Sequence, residues 1–323
     1  MPNLNVAVIA PEGYAKDLGK KGTSSDITFY NVKRDDVTVT FIEPSRYPEK
    51  LPSLFFAVSM SDWAILVINE INPALGECIL MLDQAGLKDG VIILHNYISP
   101  EEIAPLIRGT VAEHYEIIDE EMGRLREKFL EEAEKTRGRQ REPGEKFTGS
   151  VPIDHYFDVK GIGPVILGGV ARGCIRKHET LHILPTKKTA QIRSIQVHDD
   201  DAEVACTGER VGLAMKGIDT EDLDRGYVLS TDSSLISSSV INGRAELVRY
   251  WPSPLKEEMV IHIGHWLQFI PSRVAFVDNS GDWKKPEITL RSDKDLVYYP
   301  GEKALLHYLE GGKLRIVGSI RIS

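Results

Sequence analysis

The sequence predicts an α/β domain with a parallel, helix-covered sheet, followed by two antiparallel β-barrel domains. Apolar strand segments alternate with helical patterns up to about residue 140, where the helical periodicity ends. Short strands separated by Gly, Pro and Asp turns make up the rest of the chain. A chain of 323 residues also exceeds what one hydrophobic core usually serves. We therefore predict domains at 1–145, 146–235 and 236–323.

The elements of the first predicted domain follow from its apolar runs and helical periodicity. Strands are predicted near 4–9, 27–32, 37–42, 63–68, 91–95 and 115–118, and helices near 48–60, 73–86, 99–107 and 122–136. Continuous apolar strands are typical of parallel sheets buried on both faces. The charged segment 135–145 ends in Pro-Gly and suits a linker. The serine-rich segment 230–239 marks the second boundary, or else a long surface loop.

Composition narrows the class of protein. The apolar stretches suit buried strands and are too short to span a bilayer, and the N-terminus has no basic leader, so no membrane partner and a cytoplasmic location are expected. The net charge of -9 opposes nonspecific nucleic-acid binding, and DNA is not an expected partner. Local basic clusters still permit contact with RNA phosphates. Charge alone therefore leaves an RNA-binding function open.

No metal site is predicted from the cysteine, histidine or acidic residues. Cys78, Cys174 and Cys206 stand far apart in the sequence without paired spacing, and they are interpreted as reduced core residues. Strand alternation puts His262 and His265 on opposite faces. The acidic run 198–203 suits a solvated turn better than a calcium site.

The most informative motif lies at the start of the second predicted domain. Segment 153–168 places a strand before Gly161 and Gly163 and continues into a strand that ends in Gly168. Further segments follow: a basic turn at 172–178, Ile-Arg-Ser-Ile-Gln-Val-His at 192–198, and the stretches 208–219 and 224–229. Together they resemble the second domain of the translation GTPases EF-Tu and SelB over 151–230. The alternative is a generic β-barrel whose glycines serve turns only.

The first predicted domain resembles the GTPase domain of this family in its order of elements, but not in its chemistry. A phosphate-binding loop needs two glycines, a lysine and a Ser or Thr that holds magnesium. In the loop at 10–17, Ala10 and Ala15 replace the glycines, Lys16 is kept and Asp17 replaces the Ser or Thr. Lys16 and loop amides at the start of a helix are expected to bind GTP and Mg²⁺ at most weakly.

The segments that carry hydrolysis and base recognition in the family are also altered. Segment 41–50 resembles the family stretch with the water-positioning histidine, and here Glu43 replaces an Asp and Tyr47 replaces that histidine. A phenol is larger than an imidazole, and its pKa near 10 is unsuited to the role. In the loop at 94–98, Ile98 replaces the carboxylate that reads guanine. Hydrolysis is therefore expected to be lost, and no catalytic residue is predicted.

Segment 21–29 resembles the end of switch I, yet it follows so closely on the first loop that the usual helix and most of switch I are missing. The resemblance assigns weak nucleotide contacts to Gly13, Lys16, Asp17, Ser24, Glu43 and Asn96. The alternative for this domain is a scaffold that binds no nucleotide.

In relatives of EF-Tu, the aminoacyl end of tRNA sits between the first two domains. The resemblance places Asp154, His155 and Arg210 at that site, a combination similar to SelB. Two basic side chains near a small pocket favour a cargo side chain that carries negative charge, such as cysteine or selenocysteine. The alternative is that Asp154 caps a turn and His155 lies on a solvated strand face.

Three other residues are assigned to tRNA by the same resemblance. Phe157 is placed beneath the terminal adenosine, although a core position is the preferred interpretation for this residue. Arg172 and Lys187 lie on basic turns near the acceptor-stem phosphates, unless those turns are simply solvated.

The preferred hypothesis is an EF-Tu-like or SelB-like protein that binds an aminoacyl-tRNA, with the ribosome as a further partner. A protein–protein adaptor that uses the same scaffold without RNA is the rival, and an active GTPase with unusual residues is the third alternative. The third predicted domain resembles SelB more loosely. No fourth domain follows in the sequence, so the RNA-hairpin-binding extension of SelB is expected to be absent.

Overall fold

The computed structural model describes residues 2–136, 148–311 and 314–323. The chain divides into two compact units. Segment Tyr308–Val317 belongs with the N-terminal unit, whereas the second unit contains the antiparallel strands of both β-barrels. The predicted linker falls outside the described residues from position 137 onward, as does the predicted boundary near 145. The domain boundaries stay predictions.

The N-terminal unit is built on a seven-stranded sheet. Its strands are β1 (Asn3–Ile9), β2 (Lys20–Ser24), β3 (Thr28–Arg34), β4 (Val37–Glu43), β5 (Trp63–Ile68), β6 (Asp89–Leu94) and β7 (Glu116–Ile117). Its α-helices are α1 (Leu51–Ser59), α2 (Pro73–Ala85), α3 (Pro100–Ile107) and α4 (Met122–Glu134). Two 3-10 helices are found at Tyr14–Asp17 and Val111–His114.

The sheet has the order β2-β3-β4-β1-β5-β6-β7. The five strands from β4 to β7 in this order pair in parallel, which confirms the predicted α/β class. The structure adds an antiparallel edge made of β2 and β3, and β2 has no counterpart among the predicted strands. The turn between β3 and β4 is short, with Asp35 at a φ of 55°, and such a turn joins only antiparallel strands.

Local sequence signals explain where the helices begin and end. Asn72 caps α2 by accepting a hydrogen bond from the backbone N–H of Leu75 at 3.0 Å, and Gly86 ends the helix in a left-handed conformation. Helix α4 packs on the sheet through Phe129, whose ring meets those of Phe41 and Trp63 edge-on at 5.8 Å.

The second unit begins with a closed six-stranded barrel. Its chain segment forms β8 (Ser150–Val159), β9 (Gly163–Gly169), β10 (Cys174–Arg176), β11 (Thr180–Leu184), β12 (Lys188–Val197), β13 (Asp200–Ala202), β14 (Val204–Cys206), β15 (Arg210–Lys216) and β16 (Val228–Ser230). The order β11-β16-β8-β9-β15-β12 closes because β12 also pairs with β11, and β13 extends β12. The predicted first antiparallel barrel is confirmed.

The short strands β10 and β14 form a separate two-stranded sheet. A disulfide joins Cys174 to Cys206 across this pair, with an S–S distance of 2.07 Å. The interpretation of all three cysteines as reduced is therefore wrong for these two, whereas the core position is confirmed for Cys174. Strand pairing brings together residues 32 positions apart, which sequence spacing did not indicate. Cys78 is buried and free.

The second barrel is formed by β17 (Ile236–Leu247), β18 (Val260–His265), β19 (Gln268–Asp278), β20 (Glu287–Tyr298), β21 (Lys303–His307) and β22 (Ile316–Ile322). These strands close in the order β17-β20-β19-β18-β21-β22, which confirms the second antiparallel barrel. Among the described residues, no helix is long and apolar enough to cross a membrane.

Candidate functional site

The loop after β1 is bound by the carboxylate of Glu43. Glu43 is the last residue of β4, the neighbour of β1 in the sheet, and it is 2% exposed. Its two oxygens accept hydrogen bonds from the backbone N–H groups of Gly13 and Ala15, the latter at 3.1 Å. Gly13 has a φ of 80°, a left-handed conformation typical of backbone segments that aim successive N–H groups at one anion. The amides expected to face phosphate therefore face a carboxylate of the chain itself.

The pKa of the Glu43 carboxyl reflects two opposing effects. Burial raises this pKa, and the hydrogen bonds from Gly13 and Ala15 lower it without cancelling the rise. Glu12 raises it further, whereas Lys21 lowers it. The backbone amides and Lys21 are thus the groups that stabilise the ionised form of Glu43.

Three other residues expected to contact a nucleotide lie on the surface: Lys16, Asp17 and Ser24. Lys16 and Asp17 are exposed and belong to a four-residue 3-10 helix. This single helical turn is followed by β2. Ser24 ends β2, and its hydroxyl lies 2.9 Å from the hydroxyl of Thr28. The Ser24 hydroxyl is thus within hydrogen-bond distance of another side chain of the same unit.

Tyr47, which the resemblance assigns to the position of a water-positioning histidine, is half-buried in the N-terminal unit. Its hydroxyl donates to the backbone carbonyl of Ala74 at 2.8 Å and lies 3.2 Å from Oε2 of Glu77. Burial, followed by the neighbouring Cys78 and Glu77, raises the pKa of Tyr47 far above its usual value. A half-buried phenol whose pKa is raised and whose proton is already donated is a poor base for activating water.

The resemblance assigns the loop after β6 to base recognition. The side-chain amide of Asn96 donates to the backbone carbonyl of Asn69 at 2.9 Å. Asn96 and Tyr97 have φ values of 53° and 62°, and the Tyr97 side chain is fully exposed. Ile98 offers no hydrogen-bond acceptor in its side chain for a guanine base.

The strongest polar cluster of the first barrel is centred on Asp154. Its carboxylate accepts hydrogen bonds from both terminal nitrogens of Arg210, one of them at 3.1 Å, and lies 2.8 Å from Nδ1 of His155. The backbone carbonyl of Asp154 accepts from Nε of Arg225 at 3.0 Å. The structure therefore brings together the three residues that the sequence assigns to the aminoacyl site.

A β-bulge explains how neighbouring residues reach the same cluster. The pairing of β8 with β9 shifts its register between Ile153 and His155, at the position of Asp154. Bulges of this kind redirect side chains and are common beside functional sites. The Asp154 side chain is completely buried, whereas those of His155 and Arg210 are each 15% exposed. The interpretation of Asp154 as the cap of a surface turn does not fit this burial.

The pKa of Asp154 is set by its two basic neighbours. Burial alone raises the pKa of a carboxyl, but the Arg210 guanidinium and the hydrogen bonds from His155 and Arg210 more than offset this effect. The net result is a pKa below the ordinary value. Asp154 is therefore an ionised carboxylate at neutral pH, and it orients Arg210 and His155.

Phe157 and Lys187 lie on the surface of the first barrel. The Phe157 side chain is 43% exposed, so the preferred interpretation of this residue as core is wrong. Phe157 lies on β8, and Lys187 is exposed in the hairpin between β11 and β12. Both side chains are therefore accessible to a large polar ligand.

Arg172 has a structural partner that the sequence did not indicate. Its guanidinium lies 4.3 Å from the centre of the Tyr299 ring, a cation–π arrangement. The Tyr299 hydroxyl lies 2.7 Å from that of Ser150 and 3.2 Å from the carboxylate of Asp232. Arg172 remains exposed, yet it packs on an aromatic ring of the second unit and is more than a solvated turn residue.

Two arginines make contacts that no local sequence pattern predicts. Arg225 belongs to a stretch that resembles the family, but its contact with Asp154 depends on strand pairing. Arg315 binds Glu77 across 238 positions of sequence, and no local pattern links residues so far apart. Within the described ranges, no group of three or more His, Cys, Asp or Glu side chains is arranged to hold a metal ion.

A parallel α/β unit followed by two six-stranded barrels matches the architecture of SelB and EF-Tu, and the chain belongs to the family of EF-Tu/SelB-type translation GTPases. The family model described as "Elongation factor Tu domain 2" matches residues 163–230. The uncharacterized protein MJ0325 of Methanocaldococcus jannaschii is 36% identical over 95% of both chains.

Two further comparisons concern SelB proteins. The selenocysteine-specific elongation factor of Methanocaldococcus jannaschii is 25% identical over 80% of this chain, which spans 59% of that relative's length. The crystal structure of SelB from Methanococcus maripaludis in complex with the GTP analogue GPPNHP has a TM-score of 0.81 and 20% identity. It covers 100% of this chain, which spans 79% of the SelB chain, and it supports the fold alone.

Membership of this family implies binding of GTP and Mg²⁺ in general. The residues of this chain fit these ligands poorly. Amide donors of the first loop bind Glu43, Asp17 stands in place of the magnesium-holding hydroxyl, and Ile98 removes the guanine acceptor.

Proposed function

We propose that this protein is an elongation-factor-like member of the family that binds an aminoacyl-tRNA with a small, ionisable side chain, cysteine or selenocysteine. The cluster of Asp154, His155 and Arg210 carries this proposal. One buried carboxylate holds an imidazole and a guanidinium side by side, and both basic side chains remain partly exposed. Such a role places the protein in the cytoplasm, with the ribosome as a further partner.

The charge of the cluster determines which cargo it favours. The Asp154 carboxylate offsets the charge of Arg210, and the guanidinium of Arg225, which donates to the backbone carbonyl of Asp154, adds one positive charge to the cluster. A nearby positive charge stabilises a thiolate or selenolate relative to its protonated form. We therefore expect an anionic cargo side chain to be bound better than a neutral one of similar size.

The surrounding surface suits the end of a tRNA. The exposed ring of Phe157 offers a stacking face for a base, and stacking on an aromatic side chain contributes about 1–3 kcal/mol. The exposed Lys187 and Arg172 offer positive charge for phosphates. We assign these three residues to the tRNA and the Asp154 cluster to the aminoacyl group.

The proposal is tested by the spontaneous deacylation of aminoacyl-tRNAs with and without the protein. Cysteinyl-, seryl- and alanyl-tRNA provide side chains of similar size but different acidity. We expect the protein to slow the deacylation of cysteinyl-tRNA most. If none of the acylated tRNAs is protected, the protein does not bind them and the proposal is wrong.

Two variants test whether the Asp154 cluster binds the aminoacyl group of the tRNA. Arg210→Ala and His155→Ala should weaken the binding of acylated tRNA about tenfold or more, and the binding of the same tRNA without its amino acid much less. Arg193→Ala is the matched control, because Arg193 is an exposed arginine of the same barrel. Equal losses for acylated and bare tRNA would remove the Asp154 cluster from the aminoacyl site.

We also propose that GTP binding is weak and that hydrolysis is lost. The internal contacts of Glu43 and Tyr47 support both parts. Calorimetric titration with GTP and Mg²⁺, followed by a phosphate-release assay, tests them separately. Steady turnover would show that Tyr47 does not prevent hydrolysis and would favour an unusual active GTPase.

A protein–protein adaptor is the second candidate function. The observation in its favour is that the positions of Glu43 and Tyr47 serve internal contacts, as expected of a rigid scaffold. An adaptor protects no aminoacyl-tRNA in the deacylation assay. Protection of even one acylated tRNA would decide against it.

A further inference from the structure

Glu43 occupies the loop after β1 in the way a bound anion would. Each of its carboxylate oxygens accepts one backbone N–H, from Gly13 and from Ala15. Ala15 is completely buried, and Glu43 is nearly so. Two amide donors that converge on one carboxylate match the arrangement by which such loops bind phosphate oxygens.

The lysine retained from the family motif does not take part in this arrangement. Lys16 is exposed, and Lys21 on β2 is the basic side chain that lowers the pKa of Glu43. Backbone amides therefore supply most of the stabilisation of the anion in this loop. In the family motif, a phosphate is stabilised by the lysine as well. A single negative charge matches this weaker positive environment better than a triphosphate does.

We infer that Glu43 is the built-in anionic ligand of this loop, so that the N-terminal unit keeps one loop conformation with no nucleotide bound. An external phosphate enters the loop only by displacing the Glu43 carboxylate. Because that carboxylate is attached to β4, its effective concentration at the loop is high. The unit therefore does not alternate between nucleotide-dependent states, a property that goes beyond the proposed tRNA binding and is independent of it.

Replacement of the built-in ligand provides the test. Glu43→Ala should lower the Tm of the protein in chloride, because the amides of Gly13 and Ala15 lose their acceptor. Inorganic phosphate should then raise the Tm of this variant and bind to it with a Kd at least about tenfold lower than to the parent protein. Glu49→Ala, which removes an exposed carboxylate of the same unit, is the control and should change neither quantity.

Amide hydrogen exchange gives a readout that does not depend on the variant being stable. In the parent protein without any nucleotide, the amides of Gly13 and Ala15 should be protected. Glu43→Gln keeps the side-chain volume but has one acceptor oxygen fewer, so one of the two amides should exchange faster. If Glu43→Ala does not fold in chloride but folds in phosphate, the inference is supported. If it folds in neither, amide exchange in Glu43→Gln is the deciding measurement.

Three results would overturn the inference. Unprotected Gly13 and Ala15 amides in the parent protein would mean that Glu43 does not bind them. Equal phosphate affinity of the parent and Glu43→Ala would mean that Glu43 does not occupy the anion site. Unchanged exchange in Glu43→Gln would have the same meaning. None of these measurements involves tRNA, so they are separate from the test of the proposed function.

Discussion

Asp154 is a buried carboxylate that holds two basic side chains at the surface of the first barrel. Asp154→Asn keeps the size of the side chain and removes its charge. We expect this change to lower the free energy of unfolding by about 3 kcal/mol, because it leaves Arg210 without its counter-ion. Urea denaturation measures the change. The exposed pair Lys177–Glu203 in the same unit is the control, and Glu203→Gln should cost less than about 1 kcal/mol.

The pH dependence of this effect has a definite sign. The pKa of Asp154 in the folded protein lies below its ordinary value of 3.8, because Arg210 and His155 outweigh the effect of burial. The Asp154 carboxylate therefore stabilises the folded protein at pH values above its ordinary pKa. This contribution is lost as the pH falls through the pKa that Asp154 has in the folded protein. Equal losses in Asp154→Asn and Glu203→Gln would show that Asp154 is no more important than a surface ion pair.

His307 makes the fold sensitive to acid. It is completely buried, its Nδ1 lies 3.3 Å from the backbone carbonyl of His262, and burial lowers its pKa from 6.5 to about 3. At pH values between these two pKa values, the unfolded chain therefore binds one more proton than the folded protein. Stability should fall as the pH drops below 6.5, with a slope that approaches about 1.4 kcal/mol per pH unit.

The variant His307→Asn isolates this contribution, because the other titrating groups are the same in both proteins. Its stability should be lower than that of the parent near pH 7 but should fall less steeply below pH 6.5. Urea denaturation at a series of pH values measures both slopes. Parallel slopes would mean that His307 is protonated equally in the folded and unfolded chains.

At the scale of elements, the sequence predicted the strands and helices whose signals are local. Helix α2 begins with Asn72-Pro73 and ends at Gly86, and strand β5 is a continuous apolar run, so both were predicted nearly to the residue. Strand β2 was not predicted, because Lys20–Ser24 is polar and exposed. Its conformation depends on pairing with β3, and a local pattern contains no information about such a partner.

The disulfide between β10 and β14 gives a prediction for this pair of strands. In denaturant without reductant, the chain should titrate one thiol with a disulfide reagent, and three after reduction. The native protein should titrate none, because Cys78 is buried and burial raises the pKa of its thiol to about 12. Cys78→Ser should titrate no thiol before reduction. Three thiols before reduction would contradict the disulfide.

At the scale of the whole chain, the order of an α/β unit followed by two barrels was predictable because hydrophobic periodicity reports burial along the sequence. Contacts between distant segments were not. The Asp154 cluster was predicted only through the resemblance to a known family, which supplied positions that spacing alone does not connect. Glu43 was assigned to nucleotide, whereas it binds the loop 30 positions before it. The sequence shows that a glutamate stands at position 43, but it does not show that backbone N–H groups of the same chain donate to its carboxylate.

Arg315 provides the longest connection of this kind. It belongs to Tyr308–Val317, the late segment of the chain that forms part of the N-terminal unit. Its Nη2 lies 2.5 Å from Oε2 of Glu77 on α2, and its Nη1 donates to the backbone carbonyl of Pro48 at 3.1 Å. Glu77 is only 5% exposed, so its charge depends on this partner. The stability of the N-terminal unit should therefore depend on a residue near the end of the sequence.

Arg315→Met keeps much of the side-chain volume and leaves the buried Glu77 carboxylate without a counter-ion. We expect a loss of about 3 kcal/mol in the free energy of unfolding, whereas the double variant Glu77→Met, Arg315→Met should recover much of it, because both charges are then absent. Circular dichroism during urea denaturation measures all three proteins. Arg273→Met, in the exposed pair Arg273–Glu258, is the control and should cost less than about 1 kcal/mol. Additive losses in the double variant would mean that Glu77 and Arg315 stabilise the unit separately, and that the late segment is not bound through this ion pair.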